Sequence, residues 1–238
     1  MNAAAIIPAY QAERTVAAVV TETRALFEGL GAVYVVDDGS SDETAARAEE
    51  AGAIVVRHGA NRGKGSALRT GLARAAADGA VAAVTLDADG QHPPAEARRL
   101  ADFDAPASAL VLGVRDLRGA GAPRPNRISN AISNGFLSMF SRRLLADTQC
   151  GLRRYPLPRV LEIGGRDDGY AFEAEIILLA VAADLPIVEV PIEVLYPEGR
   201  TTHFDSVRDP MRVVRRVVKT LVSTRGITRS PRAAIERA

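Results

Sequence analysis

The sequence has little cysteine: Cys150 is the only one in 238 residues. An intrachain disulfide is therefore impossible, and a small secreted disulfide scaffold is excluded. Lysine is also scarce, with Lys64 and Lys219 the only two among thirty basic residues. Charge of one sign is missing as well. The net charge is +1, so the chain is not a polycation built for nucleic acid, and no nucleic-acid partner is expected. No run approaches the roughly 18 to 20 apolar residues that span a bilayer. Neither a basic leader nor a cleavage site precedes the first apolar segment. The expected location is the cytoplasm, at most peripheral on the inner face of the membrane. Finally, Pro8-Ala9-Tyr10-Gln11 stands where a Gly-x-Gly-x-x-Gly loop would follow the first strand of a dinucleotide-binding dehydrogenase.

Short apolar runs alternate with helical patterns through the first half. Residues 3–7, 32–36, 53–56, 81–86 and 109–112 read as buried strands, and 12–28, 42–51, 65–77 and 94–101 as helices. Such alternation predicts an α/β fold, a mostly parallel sheet flanked by helices. Ligands bind at the carboxyl ends of the strands of such sheets. The polar residues cluster there: Pro8 to Tyr10, Asp37 to Ser40, His58 to Lys64, Asp87 to His92, and Arg115. After a Gly/Pro-rich loop, 127–145 reads as a helix with an apolar stripe at Ile128, Ile132, Phe136 and Met139. Residues 147–155 read as a strand or turn, 172–182 as a helix and 187–195 as a strand. From Met211 a basic amphipathic helix is expected, one that either packs on the domain or faces anionic lipid. The basic stretch 226–238 is expected to be a flexible tail.

Three motifs carry chemistry. Asp87-Ala88-Asp89-Gly90-Gln91 puts two carboxylates one residue apart after an apolar strand, a hard-oxygen set suited to Mg²⁺ or Mn²⁺. Asp37-Asp38-Gly39-Ser40 offers carboxylates to a base or ribose, with Ser41 or Asp42 capping the helix that follows. Asn61-Arg62-Gly63-Lys64-Gly65 lets backbone approach an anion at a helix N-terminus. It departs from a P-loop by one residue of spacing and by lacking the Ser or Thr. Lys64, in an arginine-using chain, suggests a point charge with a specific task.

In this order, with Ile7-Pro8-Ala9-Tyr10 and Glu13 ahead of them, the motifs resemble those of family 2 glycosyltransferases. Asp147-Thr148-Gln149-Cys150-Gly151-Leu152-Arg153 and Tyr196 to Phe204 narrow the resemblance to the dolichol-phosphate mannose synthase-like branch. The likeness covers residues 3–220. It implies a GT-A type, Rossmann-like fold with an acceptor-side half and a C-terminal amphipathic helix. It further implies one domain over 1–225, with a nucleotide-sugar half (1–115) and an acceptor half (116–225). Pro8, Tyr10, Glu13, Asp38 and Lys64 would meet the nucleotide-sugar. Asp87 and Ala88 would meet it too, with Asp87 supporting the metal. Asp89 and Gln91 would ligate Mg²⁺ or Mn²⁺. Arg115 and Arg127 would bind phosphate, with Arg124 a rival to Arg127, and Arg200 and His203 would close over it. Gln11 and Ala12 depart from the commoner Pro-x-Tyr-Asn-Glu.

The activity implied is inverting transfer of a hexose from GDP-mannose or UDP-glucose to a polyprenyl phosphate. A glycerate-type or sugar hydroxyl acceptor and an inactive nucleotide-binding module are the alternatives, and a homo-oligomer is possible. A hydroxyl acceptor needs a base, for which Asp147, Glu173 or Glu175 could serve. A lipid phosphate is already ionised and needs arginines, here Arg115, Arg124, Arg127, Arg153 and Arg200. Glu173 and Glu175 cannot share a helix face, so at most one points into the site. His58 and His92 read as loop residues without a catalytic role, and Cys150 as a packed side chain.

Overall fold

Strand β1 (Ala3–Ala9) alternates its side chains between the two faces of a sheet, and each face has its own helical cover. Ala4 and Ile6 join one apolar cluster with Leu68, Leu72, Phe172 and Ile176. Ala3, Ala5 and Ile7 join another with Val16, Val20, Ala48, Ala97 and Leu100. The structure, a computed structural model, describes residues 2–195 and 235–237.

Helices α1 (Val16–Leu26), α2 (Thr44–Glu50) and α4 (Pro94–Asp102) cover the second face. Helices α3 (Lys64–Ala77), α6 (Leu157–Ile163) and α7 (Ala171–Ala182) cover the first. The remaining strands are β2 (Val33–Asp37), β3 (Ile54–Arg57), β4 (Ala82–Thr85), β5 (Leu110–Arg115), β6 (Arg153–Pro156) and β7 (Ile187–Ile192). A three-residue strand, β8 (Ile235–Arg237), pairs with β7 from within the stretch expected to be a tail. The order is β3-β2-β1-β4-β6-β5-β7-β8. Among the described strands, only β6 runs antiparallel to its neighbours, β4 and β5.

That reversed strand positions the site. Thr85 at the end of β4 pairs with Arg153 at the start of β6, so the 147–152 motif lies beside the 87–91 motif. Among the described residues the predicted elements are present, with three differences besides β8. β3 is an edge strand with Ile54 38% exposed, not a buried one. Helix α6, whose Pro156-Leu157-Pro158 start gives it no N-cap side chain, is an addition to the expected elements. Most consequentially, α5 (Arg124–Ser141) buries Ser129, Asn130, Ser133, Leu137 and Ser141, and of its expected apolar stripe Ile128, Ile132 and Met139 point outward while Phe136 is half-buried against the core.

Candidate functional site

The loops after β1 and β2 are stitched together by side chains the sequence marks as turn formers. Gln11, in left-handed backbone at φ 52°, donates its N–H to Ser40 Oγ at 2.9 Å. Ala12 N–H reaches Thr44 Oγ1 at 2.7 Å, and Glu13 N–H reaches Asp42 Oδ2 at 3.2 Å. Asp42 Oδ1 also accepts from Thr44 N–H at 3.1 Å and so holds the start of α2, although the N-cap position falls to Glu43, not to Ser41 or Asp42. Pro8, half-buried, and Tyr10, 36% exposed, stand at the open edge of this assembly.

Asp38 is turned the other way. Its carboxylate is 3% exposed and accepts from Arg62 N–H at 3.0 Å and Gly63 N–H at 2.7 Å. His58 Nδ1 lies 2.6 Å from it, and His58 Nε2 is 3.0 Å from Thr70 Oγ1. Asp38, expected to meet a base or ribose, fixes the 58–63 loop through these bonds. His58, read as a plain loop residue, is the buried partner that holds it. The only hint in the sequence is a histidine directly after a strand.

The glycine loop is closely packed. Gly63 sits at φ 97°, and a Cβ there would collide with the carbonyl of Asp168. A Cβ on Gly65 would lie 2.7 Å from Phe172 Cβ and 2.8 Å from Gly169 O. Ser66 N–H donates to Asp168 O at 3.1 Å. These glycines admit the protein's own 167–169 loop. Glu175 holds that loop by accepting from Arg166 and Asp167 N–H, each at 2.8 Å.

What the loop delivers is Lys64. Its Nζ is 2.7 Å from Asp87 Oδ1, 3.2 Å from Glu173 Oε1 and 5.8 Å from the Tyr170 ring centroid. Burial alone would lower the lysine's pKa, but Asp87 and Glu173 overcome it and raise the pKa. Burial likewise opposes ionisation of Asp87, and Lys64 and the surrounding cations outweigh it, pulling the carboxyl down to about 2. Gly151 completes the packing, since a Cβ there would stand 2.8 Å from Asp87 Oδ2 and 2.9 Å from Lys64 Nζ. His92, 1% exposed, lies with Nδ1 3.7 Å from Asp87 Oδ2 and Nε2 3.7 Å from Cys150 Sγ. Burial pushes its pKa down to about 4, so it is neutral near pH 7. It is a loop residue, as expected, and its buried side chain forms a wall of the site. Cys150 is fully buried, with its thiol pushed up to about 12 by burial, a packed side chain as expected.

Asp89 has a different setting. Its carboxylate accepts from Gln91 N–H at 2.9 Å and Gln91 Nε2 at 2.6 Å. Burial, followed by the repulsion of Asp87, raises its pKa. Between the two, buried Ala88 gives its carbonyl to Thr15 Oγ1 at 2.6 Å, tying the loop to α1.

On the other side, Arg115 grips Asp147 with two nitrogens, Nε at 2.7 Å and Nη2 at 3.0 Å. Asp147 is 1% exposed, so it aims Arg115 instead of facing an acceptor. Arg153, counted among the phosphate-binding arginines, is fully buried. It donates to the carbonyls of Cys150, Glu173 and Thr148 at 2.7–2.8 Å, and it is a brace. Arg124 and Arg127 lie in the first turn of α5, the former exposed and the latter half-buried. Glu173 enters the site and Glu175 does not. Arg200, His203 and the helix expected from Met211 lie outside the described residues.

Residues 4–156 match the family model described as Glycosyl transferase family 2. The chain is 30% identical over 210 residues to glycosyltransferase AglJ of Haloferax volcanii, covering 86% of this chain and 67% of that protein. It is 29% identical over 216 residues to a UDP-N-acetylglucosamine–dolichyl-phosphate N-acetylglucosaminyltransferase of Methanococcus voltae, covering 81% and 85%. Among solved structures it resembles glucosyl-3-phosphoglycerate synthase from Mycobacterium tuberculosis, crystallised with Mn²⁺, UDP and phosphoglyceric acid. That match has a TM-score of 0.73 at 23% identity, covering 96% of this chain and 80% of the other. The likeness is one of fold, the GT-A type that the motifs implied.

Proposed function

The chain belongs to glycosyl transferase family 2, and on that premise we propose that it moves a hexose from a nucleotide-diphosphate sugar to a polyprenyl phosphate, with inversion. The observation that carries this reading is the unequal treatment of two carboxylates at one strand end. Asp87 is neutralised by Lys64 at 2.7 Å, whereas Asp89 is paired with the neutral Gln91 and has a raised pKa. A carboxylate held in that state is stabilised by an incoming cation.

Mg²⁺ or Mn²⁺ fits this donor set. No group of three His, Cys, Asp or Glu able to hold a metal occurs among the described residues. An ion here would therefore take Asp89, with Gln91 beside it, and draw its other ligands from water and donor phosphates, as Mg²⁺ does. When bound, the ion would offset the charge that develops on the diphosphate leaving group. Asp87, fixed by Lys64, orients the loop and is the weaker ligand. Pro8 and Tyr10 flank the nucleotide side, and Arg115, its Nε and Nη2 engaged by Asp147, brings positive charge to the acceptor side, where a phosphate would lie.

The choice of acceptor turns on which carboxylates could act as a base. Asp87, Glu173 and Asp147 are each within 3.2 Å of a cationic nitrogen, and Glu175 is bound to backbone. None of the four is placed to deprotonate a hydroxyl, whereas a phosphate monoester arrives already ionised. The dolichyl-phosphate enzyme among the relatives supports the same class.

The test is a panel of nucleotide-sugars assayed with Mn²⁺ and with chelator, against a short-chain polyprenyl phosphate and against phosphoglycerate. Metal-dependent product is expected with the lipid phosphate. Product only with phosphoglycerate moves the enzyme to a soluble acceptor, and no turnover of any donor overturns the catalytic reading.

A further inference from the structure

Helix α5 is built inside out. With 3.6 residues per turn, Arg124, Ile128, Ile132, Gly135, Met139 and Arg142 fall on one face. That face points to solvent: Ile128, Ile132 and Met139 are 60%, 57% and 63% exposed. The opposite face is buried and mainly polar. Ser129 meets Gln149 at 3.2 Å, Ser133 meets Thr148 at 2.9 Å, and Asn134 bonds the backbone of Thr148 and Ala146. A helix of a water-facing domain is oriented the other way.

The apolar face continues past the helix. Leu144, 76% exposed, lies with Met139, Arg142 and Arg143 around a groove of about 540 Å³. The stretch of chain that carries this face is one-sided in charge, although Asp184 lies close enough to Arg143 to act on it. Residues 117–146 contain Arg118, Arg124, Arg127, Arg142 and Arg143 and no Asp or Glu, in a chain whose net charge is only +1. That composition weighs against two other covers. A second copy would bring five more arginines, and the segment from Met211 carries Arg212, Arg215, Arg216 and Lys219; both would repel.

From the exposed stripe and its arginine border we infer that α5 docks on an anionic lipid surface, apolar face down, with its arginines at the headgroups. The inference rests on the proposed lipid acceptor for its purpose and on this surface for its evidence. The same helix is bonded through Ser129, Ser133 and Asn134 to the 146–149 segment, which contains the Asp147 that aims Arg115. Docking α5 therefore brings the phosphate-facing side of the site to the depth of a lipid headgroup.

The experiment is flotation of the full chain with vesicles of phosphatidylcholine alone and with added phosphatidylglycerol, comparing wild type with Ile128→Gln/Ile132→Gln. Binding to the anionic vesicles only is expected. Removing two branched side chains from the contact should weaken it by on the order of tenfold or more. Both side chains are exposed, so an unchanged Tm and circular dichroism spectrum are expected, and a large fall in Tm would mean that protein covers this face. A loss of oligomer mass in the variant would instead identify a second copy. Retained binding in the variant, with loss in Arg212→Gln/Arg215→Gln/Arg216→Gln, would assign the membrane contact to the later segment and overturn the proposal. Turnover separates this from the functional reading. The α5 variant should keep its rate with a water-soluble short-chain polyprenyl phosphate and lose it with vesicle-embedded acceptor. Absence of turnover in wild type would sink the transferase reading and leave flotation as an independent test of α5.

Discussion

One residue separates Asp87 from Asp89, yet the two carboxylates are in different chemical states. Lys64 draws Asp87 down and holds it, while burial and the neighbouring negative charge push Asp89 up. Two substitutions should therefore fail differently. Asp89→Asn should keep the fold, leave Tm near wild type and lower kcat/KM by about a hundredfold or more, the scale on which a group stabilising leaving-group charge acts. Lys64→Met removes the cation lying between Asp87 and Glu173, leaving two carboxylates pressed together at low exposure. It should cost about 3 kcal/mol of stability, read by urea denaturation without donor or metal. If Lys64→Met proves as stable as wild type and only activity falls, Lys64 belongs to the donor site, as its motif suggests. Lys64 and the two aspartates are legible in the sequence because each breaks a local expectation. The roles of Gly151 and His92 are not, because they arise from packing against Asp87 and have no local signature, and only packing chooses Glu173 over Glu175.

At the scale of elements, α4 and α5 show how far a pattern can be read. Helix α4 ends at Asp102, and Arg154 from β6 donates to the carbonyls of Leu100, Ala101 and Phe103 at 3.2, 3.2 and 2.7 Å. These are carbonyls that a helix end leaves without partners, and Arg154 is only 2% exposed. Replacing it with Leu should destabilise the chain by about 3 kcal/mol and speed amide exchange in the last turn of α4. An unchanged exchange rate there would deny the capping role. The sequence offers Arg153-Arg154 as a basic pair, without indicating that both guanidinium groups face inward onto carbonyls. Helix α5 teaches the same lesson in reverse. Its stripe is plain as periodicity, but periodicity gives only the angle between faces, not which face meets protein. Ser129, Ser133 and Asn134, opposite the stripe, settle that, since each finds its hydrogen-bond partner on the inner side.

For the whole molecule, the buried hydroxyls predict an alkaline limit. Tyr34 on β2 is pushed up to about 12 by burial and by its 2.8 Å bond to Asp78, and Tyr155 on β6 to about 12 by burial. Both values lie above the ordinary 10.0. The unfolded chain thus loses these protons first, and the associated stability is complete below pH 10 and lost as pH rises toward 12. The expected loss is on the order of 2 kcal/mol per tyrosine. Tyr34→Phe should flatten the decline of Tm with pH over that window, and an identical slope in the variant would remove Tyr34 as its cause.

The sequence by itself determined the strand and helix alternation, the strand-end location of the chemistry and the family. These rest on local periodicity and on motifs contiguous in the chain. Three things were decided only in three dimensions. The antiparallel β6 sets the 147–152 motif against Asp87 by pairing Arg153 with Thr85, far apart in the chain. The glycine loop proved to be filled by the protein's own 167–169 segment. The carboxylates expected to bind ligand or acceptor at Asp38 and Asp147 were already satisfied by backbone N–H groups, His58 and Arg115. Hydrogen-bond capacity and close packing depend on which surfaces meet, and no window of sequence contains both partners.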